Sequence, residues 1–318
     1  MKIQLAPMEG VFDSVTRDIF SQIGGFDHFV TEFIRVSAHL LPSSVFYRYC
    51  PELHNQGRTR HGDPVFVQLL GSDYELMALN AERAVDLGAP GIDLNFGCPA
   101  KRVNQHEGGA RLLQEPERVE GVVSAVAKRV GSRVPVTAKV RLGYENKDHC
   151  VDIAKAAENG GATHLTVHAR TKIEGYKPPA HWHYIAKMKR AISIPVYANG
   201  DIWTVEDAKR CLALSECENL ALGRSAFSNP SLALEIKSQL LTVPAPSPGL
   251  SWQDLSGHWL PYFIETTRQT YSDQFALHRT KQWTKNLGRQ FPEALDVFES
   301  IKRSQKLQEL SSVLTFRD

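Results

Sequence analysis

The chain lacks the sequence marks of several large protein classes. It contains no run of roughly 18 apolar residues, so a membrane span is not expected. Its five cysteines (Cys50, Cys98, Cys150, Cys211 and Cys217) are odd in number and scattered, with no C-x-x-C pair. That excludes a disulfide framework or a zinc centre as the organising feature, so no metal is expected and a reducing cytoplasm fits best. Charge of one sign is also missing: 37 basic residues stand against 35 acidic ones, a net +2. A nucleic-acid partner must therefore be argued from local patches and not from global balance. Neither G-x-G-x-x-G after the first strand nor G-x-x-x-x-G-K-[ST] occurs, which disfavours a Rossmann dinucleotide fold and a Walker-type nucleoside triphosphatase. The opening residues, Met1 to Pro7, carry one basic residue and a very short apolar stretch, and are expected to form a buried strand and not a secretory leader.

What is present is a regular alternation. With 318 residues, 42% hydrophobic and 23% charged, the chain suits a barrel of about 250 residues plus a smaller appendage. Short β-branched runs recur at Ile3–Ala6, His28–Thr31, Val65–Leu70, Gly91–Asn95, Val134–Val140, His164–His168, Ile194–Ala198 and Leu220–Leu222. The second is the least strand-like, since residues 26–33 also suit a loop. Amphipathic stretches such as Tyr74–Leu87, Val119–Val130, Val151–Asn159 and Val205–Leu214 separate them. Eight strands alternating with helices predict an α/β fold, a (β/α)8 TIM barrel over residues 1–241. Thr242 to Gly249 holds three prolines and a glycine, so residues 242–250 are expected to be a linker. Residues 251–318 show helical periodicity alone and predict a small all-helical C-terminal domain.

In such a barrel the chemistry sits where the strands end. Those ends read Ala6-Pro7-Met8-Glu9-Gly10, Gln68 with Gly71, Asn95-Phe96-Gly97-Cys98-Pro99, Lys139-Val140-Arg141, His168-Ala169-Arg170, Asn199-Gly200-Asp201 and Gly223-Arg224. Polar residues and glycines stand at the ends while the strand bodies stay largely apolar, which points to one composite site. Glycines after the last two strands let backbone N–H groups approach an anion, and Arg224 adds a charge-assisted contact, so a phosphate site is expected there. Lys139 would be partly desolvated on its strand, and suits either a Schiff-base lysine or a cation beside an electron-rich ring. His168 is placed to donate to the same ring edge, or else is a satisfied core histidine. Cys98 lies in a loop kinked by Gly97 and Pro99, where a thiol serves as nucleophile or as acid. The residues alone leave those alternatives open.

In order and spacing these motifs resemble the tRNA-dihydrouridine synthases, with Asn95-Phe96-Gly97-Cys98-Pro99 the most specific element. Thr31-Glu32-Phe33-Ile34-Arg35-Val36 and Arg279-Thr280-Lys281-Gln282-Trp283 are most similar to the bacterial subfamily acting at uridine 16 of the D-loop. The resemblance implies FMN held by Pro7, Met8, Glu9, Gln68, Lys139 and His168, with its phosphate on Asn199, Gly200, Asp201, Gly223 and Arg224. It implies NADPH as reductant, hydride transfer to uracil C6 and protonation of C5 by Cys98. It further implies tRNA contacts from Arg35, Asn95, Tyr176, Arg279, Lys281 and Asn286, in a protein expected to be a cytoplasmic monomer.

One local patch supports RNA independently. From residue 268 to 289, Arg268, Arg279, Lys281, Lys285 and Arg289 face a single acid, Asp273, and Tyr271, His278 and Trp283 interleave with them. Basic charge with aromatics suits phosphate tracking and base stacking, although helical spacing also allows Trp283 to be core with the charges turned outward. Three rival readings remain at this point: a flavin barrel reducing a small molecule, a Schiff-base lyase using Lys139, and a non-catalytic tRNA-binding factor.

Overall fold

The computed structural model describes residues 1–241 and 249–314. Most of the expected linker, and the last four residues, lie outside the described residues. The described part divides into two compact units, residues 1–14 with 26–223, and residues 15–25 with 224–318.

The first unit is a closed barrel of parallel strands: β1 (Ile3–Leu5), β2 (His28–Val30), β3 (Ile34–Arg35), β4 (Val65–Leu70), β5 (Ile92–Asn95), β6 (Val136–Arg141), β7 (His164–His168), β8 (Val196–Asn199) and β9 (Asn219–Leu222). Pairing of β2 with both β1 and β4, and of β1 with β9, closes the ring through eight of them. The ninth, β3, pairs with the far end of β4, Ile34 opposite Leu69 and Arg35 opposite Leu70. The second barrel strand is therefore interrupted: Thr31 and Val36 still donate to the carbonyls of Phe66 and Leu70, on either side of a break. Its weak sequence signal has this cause. The expected start of β6 at Val134 moves to Val136, because Pro135 has no N–H to give the ladder.

Outward strand residues such as Val65, Val67, Leu69, Leu94 and Val140 are fully buried beneath the helices. The inward ones are largely polar. Gln4, Gln68, Asp93, Thr137 and Thr166 are all fully buried, and because an unpaired buried polar group costs about 1–3 kcal/mol they pair largely with one another, Gln4 Nε2 being without a partner among the described residues. Thr166 Oγ1 donates to Gln4 Oε1 at 2.8 Å. The helices start at local signals: Asp73 accepts from the Leu76 amide ahead of Tyr74–Asp86, and Thr204 forms a capping box with Asp207 ahead of Val205–Ser215.

The second unit is helical among its described residues. Its C-terminal part runs through Trp252–Asp254, a π-turn at Leu255–Trp259, Leu260–Thr270, Asp273–Leu287 and Glu293–Ile301. The helix Ser14–Ile23 belongs largely with this unit. Gly25, at φ +93°, presses on its backbone; a Cβ there would stand 2.6 Å from Leu234 N and 2.9 Å from the Ala233 carbonyl carbon. The first compact unit thus ends at Gly223.

Candidate active site

The Cys98 loop is built from the last residue of β5. Asn95 Oδ1 accepts from the amides of Gly97 and Cys98, each at 2.9 Å, so the side chain folds the backbone that follows it. Asn104 braces the far side, donating to the carbonyls of Cys98 and Ala100 at 2.9 and 2.8 Å. The thiol is only 9% exposed. Burial pushes its pKa up and Glu9 adds to this, while Arg141 and Lys139 pull the other way. The group therefore carries its proton at neutral pH, the state a general acid needs and a nucleophile does not.

Asn95 pairs with Lys139 across β5 and β6, so both stand at one level of the barrel mouth. Lys139 Nζ has Asn199 Oδ1 at 3.4 Å. Burial, followed by the Arg141 charge, lowers its pKa to about 8. Beneath it Gln68 donates to Asp93 Oδ2 at 2.6 Å and accepts from Asn95 Nδ2 at 2.8 Å. Arg141 ties the loops together: its guanidinium donates to the carbonyls of Gly97 (2.7 Å), Thr171 (3.1 Å) and Gly175 (3.0 Å), and lies 5.3 Å from the Tyr176 ring centroid. His168 Nδ1 lies 3.4 Å from Arg141, and the His168 ring meets the 51%-exposed Tyr176 edge-on at 5.8 Å.

The turn after β8 has consecutive left-handed residues, Gly200 at φ +117° and Asp201 at φ +51°. Asp201 is paired with the fully buried Arg170, whose Nη1 has no hydrogen-bond partner among the described residues. Asn199 Nδ2 donates to the Ala221 carbonyl at 2.7 Å, linking this turn to β9. At Gly223 a Cβ would meet nothing nearer than Met8 Sδ at 3.4 Å. Internal packing does not demand glycine there, and its absent side chain leaves room against Met8.

Pro7, Met8 and Glu9 follow β1, and the Met8 carbonyl turns the chain by accepting from Val11 and Phe12. Arg35 ends β3. The barrel thus brings together the ends of β1, β4, β5, β6, β7, β8 and β9. Arg224 opens a short helix of the second unit, and Arg279, Lys281 and Asn286 lie together on Asp273–Leu287. Trp283 is core there, 1% exposed. Arg279 does not face outward as the charge pattern suggested: it is 5% exposed, donates to Thr16 Oγ1 at 2.9 Å and packs over Phe227 and Phe263. Lys281 reaches the Ser304 carbonyl at 2.6 Å, and Asn286 bonds the Gln282 carbonyl at 2.8 Å.

Sequence reasoning placed Arg141 only among the strand ends and Asn104 only in the polar loop after Cys98, and assigned nothing to Thr137 or Asp93. The available signal was polar residues at alternate positions of otherwise apolar strands, Asp93 with Asn95 and Thr137 with Lys139, which places them on one inward face.

The dihydrouridine synthase (Dus) model matches residues 4–315. A tRNA-dihydrouridine(16) synthase of Aquipseudomonas alcaligenes is 45% identical, over 99% of both chains. Its namesake from Shewanella oneidensis is 46% identical, over 99% of this chain and 97% of the other. Among solved structures, the old yellow enzyme homologue of Zymomonas mobilis superposes with a TM-score of 0.52 at 13% identity, covering 76% of this chain and 90% of that one. DHODH of Eimeria tenella does so at 0.56 and 14%, covering 76% and 80%. At such identities the likeness is one of fold.

Proposed function

The chain belongs to the dihydrouridine synthase family, and from that premise we propose that it reduces the C5–C6 double bond of uridine 16 in the tRNA D-loop. The proposed cofactor is FMN and the proposed electron source NADPH. The observation that carries this reading is a protonated, loop-held thiol at Cys98 anchored by Asn95, whose strand neighbour at the barrel mouth is the Lys139 cation.

The residues present fit a flavin. Lys139 is a half-buried ammonium with Asn199 Oδ1 at 3.4 Å, and an electron-rich ring edge beside it would give it a further acceptor. The successive left-handed residues Gly200 and Asp201 form the kind of backbone concavity that binds phosphate, and Gly223 keeps space open. Pro7, Met8, Glu9, Gln68 and His168 complete the proposed ring site, and Asn199 shapes the phosphate turn. Arg224 is the corresponding proposal at the start of the second unit. The chemistry such a flavin would supply is a hydride for uracil C6.

The protein's own part is a proton. Cys98 holds it on Sγ and gives it to C5, while the Arg141 and Lys139 charges, which already oppose the rise in the thiol's pKa, stabilise the thiolate left behind. Tyr176, exposed over Arg141, and Asn95 and Arg35 are the proposed contacts to the extruded nucleotide. On the second unit Lys281 and Asn286 are proposed to meet the tRNA backbone, with Arg279 supporting the helix that carries them. The test is to map dihydrouridine in tRNA from a strain lacking this protein. Loss confined to position 16 is expected; an unchanged map ends the reading. Purified protein should also be yellow or become so with FMN.

A further inference from the structure

We propose that Asp93 is a positioning residue: it terminates a one-way chain of hydrogen bonds that fixes the Cys98 loop. The inference rests on the reading of Cys98 as the proton donor, yet the chain itself is read from the fold.

The direction of the chain is set at its upper end. The amides of Gly97 and Cys98 can only donate, so the atom of Asn95 facing them must be its oxygen. Asn95 therefore turns its NH2 to Gln68, which must present Oε1, and Gln68 is left pointing its own NH2 downward. That NH2 needs an acceptor in a fully buried position, and Asp93 Oδ2 provides it at 2.6 Å. Asp93 Oδ1 takes the Thr137 hydroxyl at 2.5 Å. Two backbone donors at the top thus require an acceptor at the bottom, with no slack between.

Removing the acceptor sends the misfit upward. With leucine at 93, Gln68 either buries an unpaired NH2 or flips and sets its NH2 against that of Asn95. If Asn95 flips in turn, it offers hydrogens to two amides that can only donate, and the loop opens. An asparagine at 93 avoids this, since its Oδ1 accepts from Gln68 while its Nδ2 donates to Thr137 Oγ1.

The test compares Asp93→Leu and Asp93→Asn in the full chain, without RNA or reductant, so that failure of the dihydrouridine reading leaves it untouched. Hydrogen exchange at the Gly97 and Cys98 amides and alkylation of Cys98 by iodoacetamide are followed by mass spectrometry. In Asp93→Leu both should quicken about tenfold or more, the equivalent of one buried hydrogen bond, while the β7 amides stay protected. Asp93→Asn should remain close to the parent in both. Parent-like protection in Asp93→Leu, or equal loosening in both variants, overturns the proposal. If Asp93→Leu does not fold, Gln68→Met cuts the chain one link higher with a side chain of similar volume; it should loosen the same two amides, and unchanged protection there overturns the proposal.

Discussion

Asn95 Oδ1 lies 2.9 Å from the amide nitrogen of Cys98, three residues on, so the end of a rigid strand directly orients the loop bearing the thiol. Replacing Asn95 by alanine leaves the strand intact and frees that loop. Turnover should fall on the order of a hundredfold, the usual cost of misplacing a reacting group by an ångström. Flavin content should stay near the parent value, since Asn95 is not among the residues assigned to the ring or the phosphate. Equal loss of flavin would show that Asn95 supports the cofactor site instead.

Cys98→Ala removes the proton and nothing larger than a sulfur. Dihydrouridine formation should drop by about 10²–10⁴, the range for losing a general acid. Flavin reduction by NADPH, followed by bleaching of the visible band, should proceed as before. Slowed bleaching would mean that the thiol acts in the reductive half and not in proton delivery.

Lys139 gives the reaction an alkaline limit. Its pKa in the folded chain is lowered from 10.5 to about 8, first by burial and then by Arg141. A lowered value means the cation is lost earlier as pH rises: the ammonium is present below about 8 and gone above it. Turnover should decline through that pH. Lys139→Met should be slow at all pH values and lack this limb; a parent-like limb in Lys139→Met would assign it to another group.

How much of this was legible in the sequence follows from where each residue's partners lie. The strands were readable because their outward faces are apolar, mostly Val, Leu and Ile, and the polar inward positions interrupt them only at alternate residues. The break between Val30 and Ile34 was not, since it depends on which carbonyls of β4 remain in reach. Strand ends located Cys98, Lys139, His168 and Asn199 because barrel geometry fixes where they point. Asp93 escaped notice because its partners, Gln68 and Thr137, are 25 and 44 residues away. The placement of Ser14–Ile23 rests on Gly25 fitting the backbone of Ala233 and Leu234, a match no local pattern displays.

Arg279 illustrates a charge whose pattern misleads. Its guanidinium donates to Thr16 and Gln282 and packs over two phenyl rings inside the second unit. Arg279→Ala should therefore cost stability, about 2–4 kcal/mol for a buried charge-assisted bond with cation–π packing, and lower the melting temperature. Lys281→Ala should instead keep stability and reduce the salt dependence of tRNA binding by about one counterion. Stability loss in Lys281→Ala with an unchanged salt slope would remove that residue from the RNA surface.

The barrel floor sets an acid limit to stability. His28 and His164 lie 5.5 Å apart beside Tyr197 and Phe66, each with an Nε2 that has no hydrogen-bond partner among the described residues. Burial lowers their pKa values to about 4 and about 3, below the ordinary 6.5, and Asp27 only partly opposes this at His28. The unfolded chain therefore takes up protons that the folded one refuses as pH falls below 6.5, so stability is complete above that value and drains away toward pH 4. At about 1.4 kcal/mol per pKa unit the pair accounts for several kcal/mol. The melting temperature should thus fall between pH 7 and pH 5 in the parent, and fall less in His164→Leu, which has one fewer site to protonate. An equal fall in both would place the acid sensitivity elsewhere in the chain.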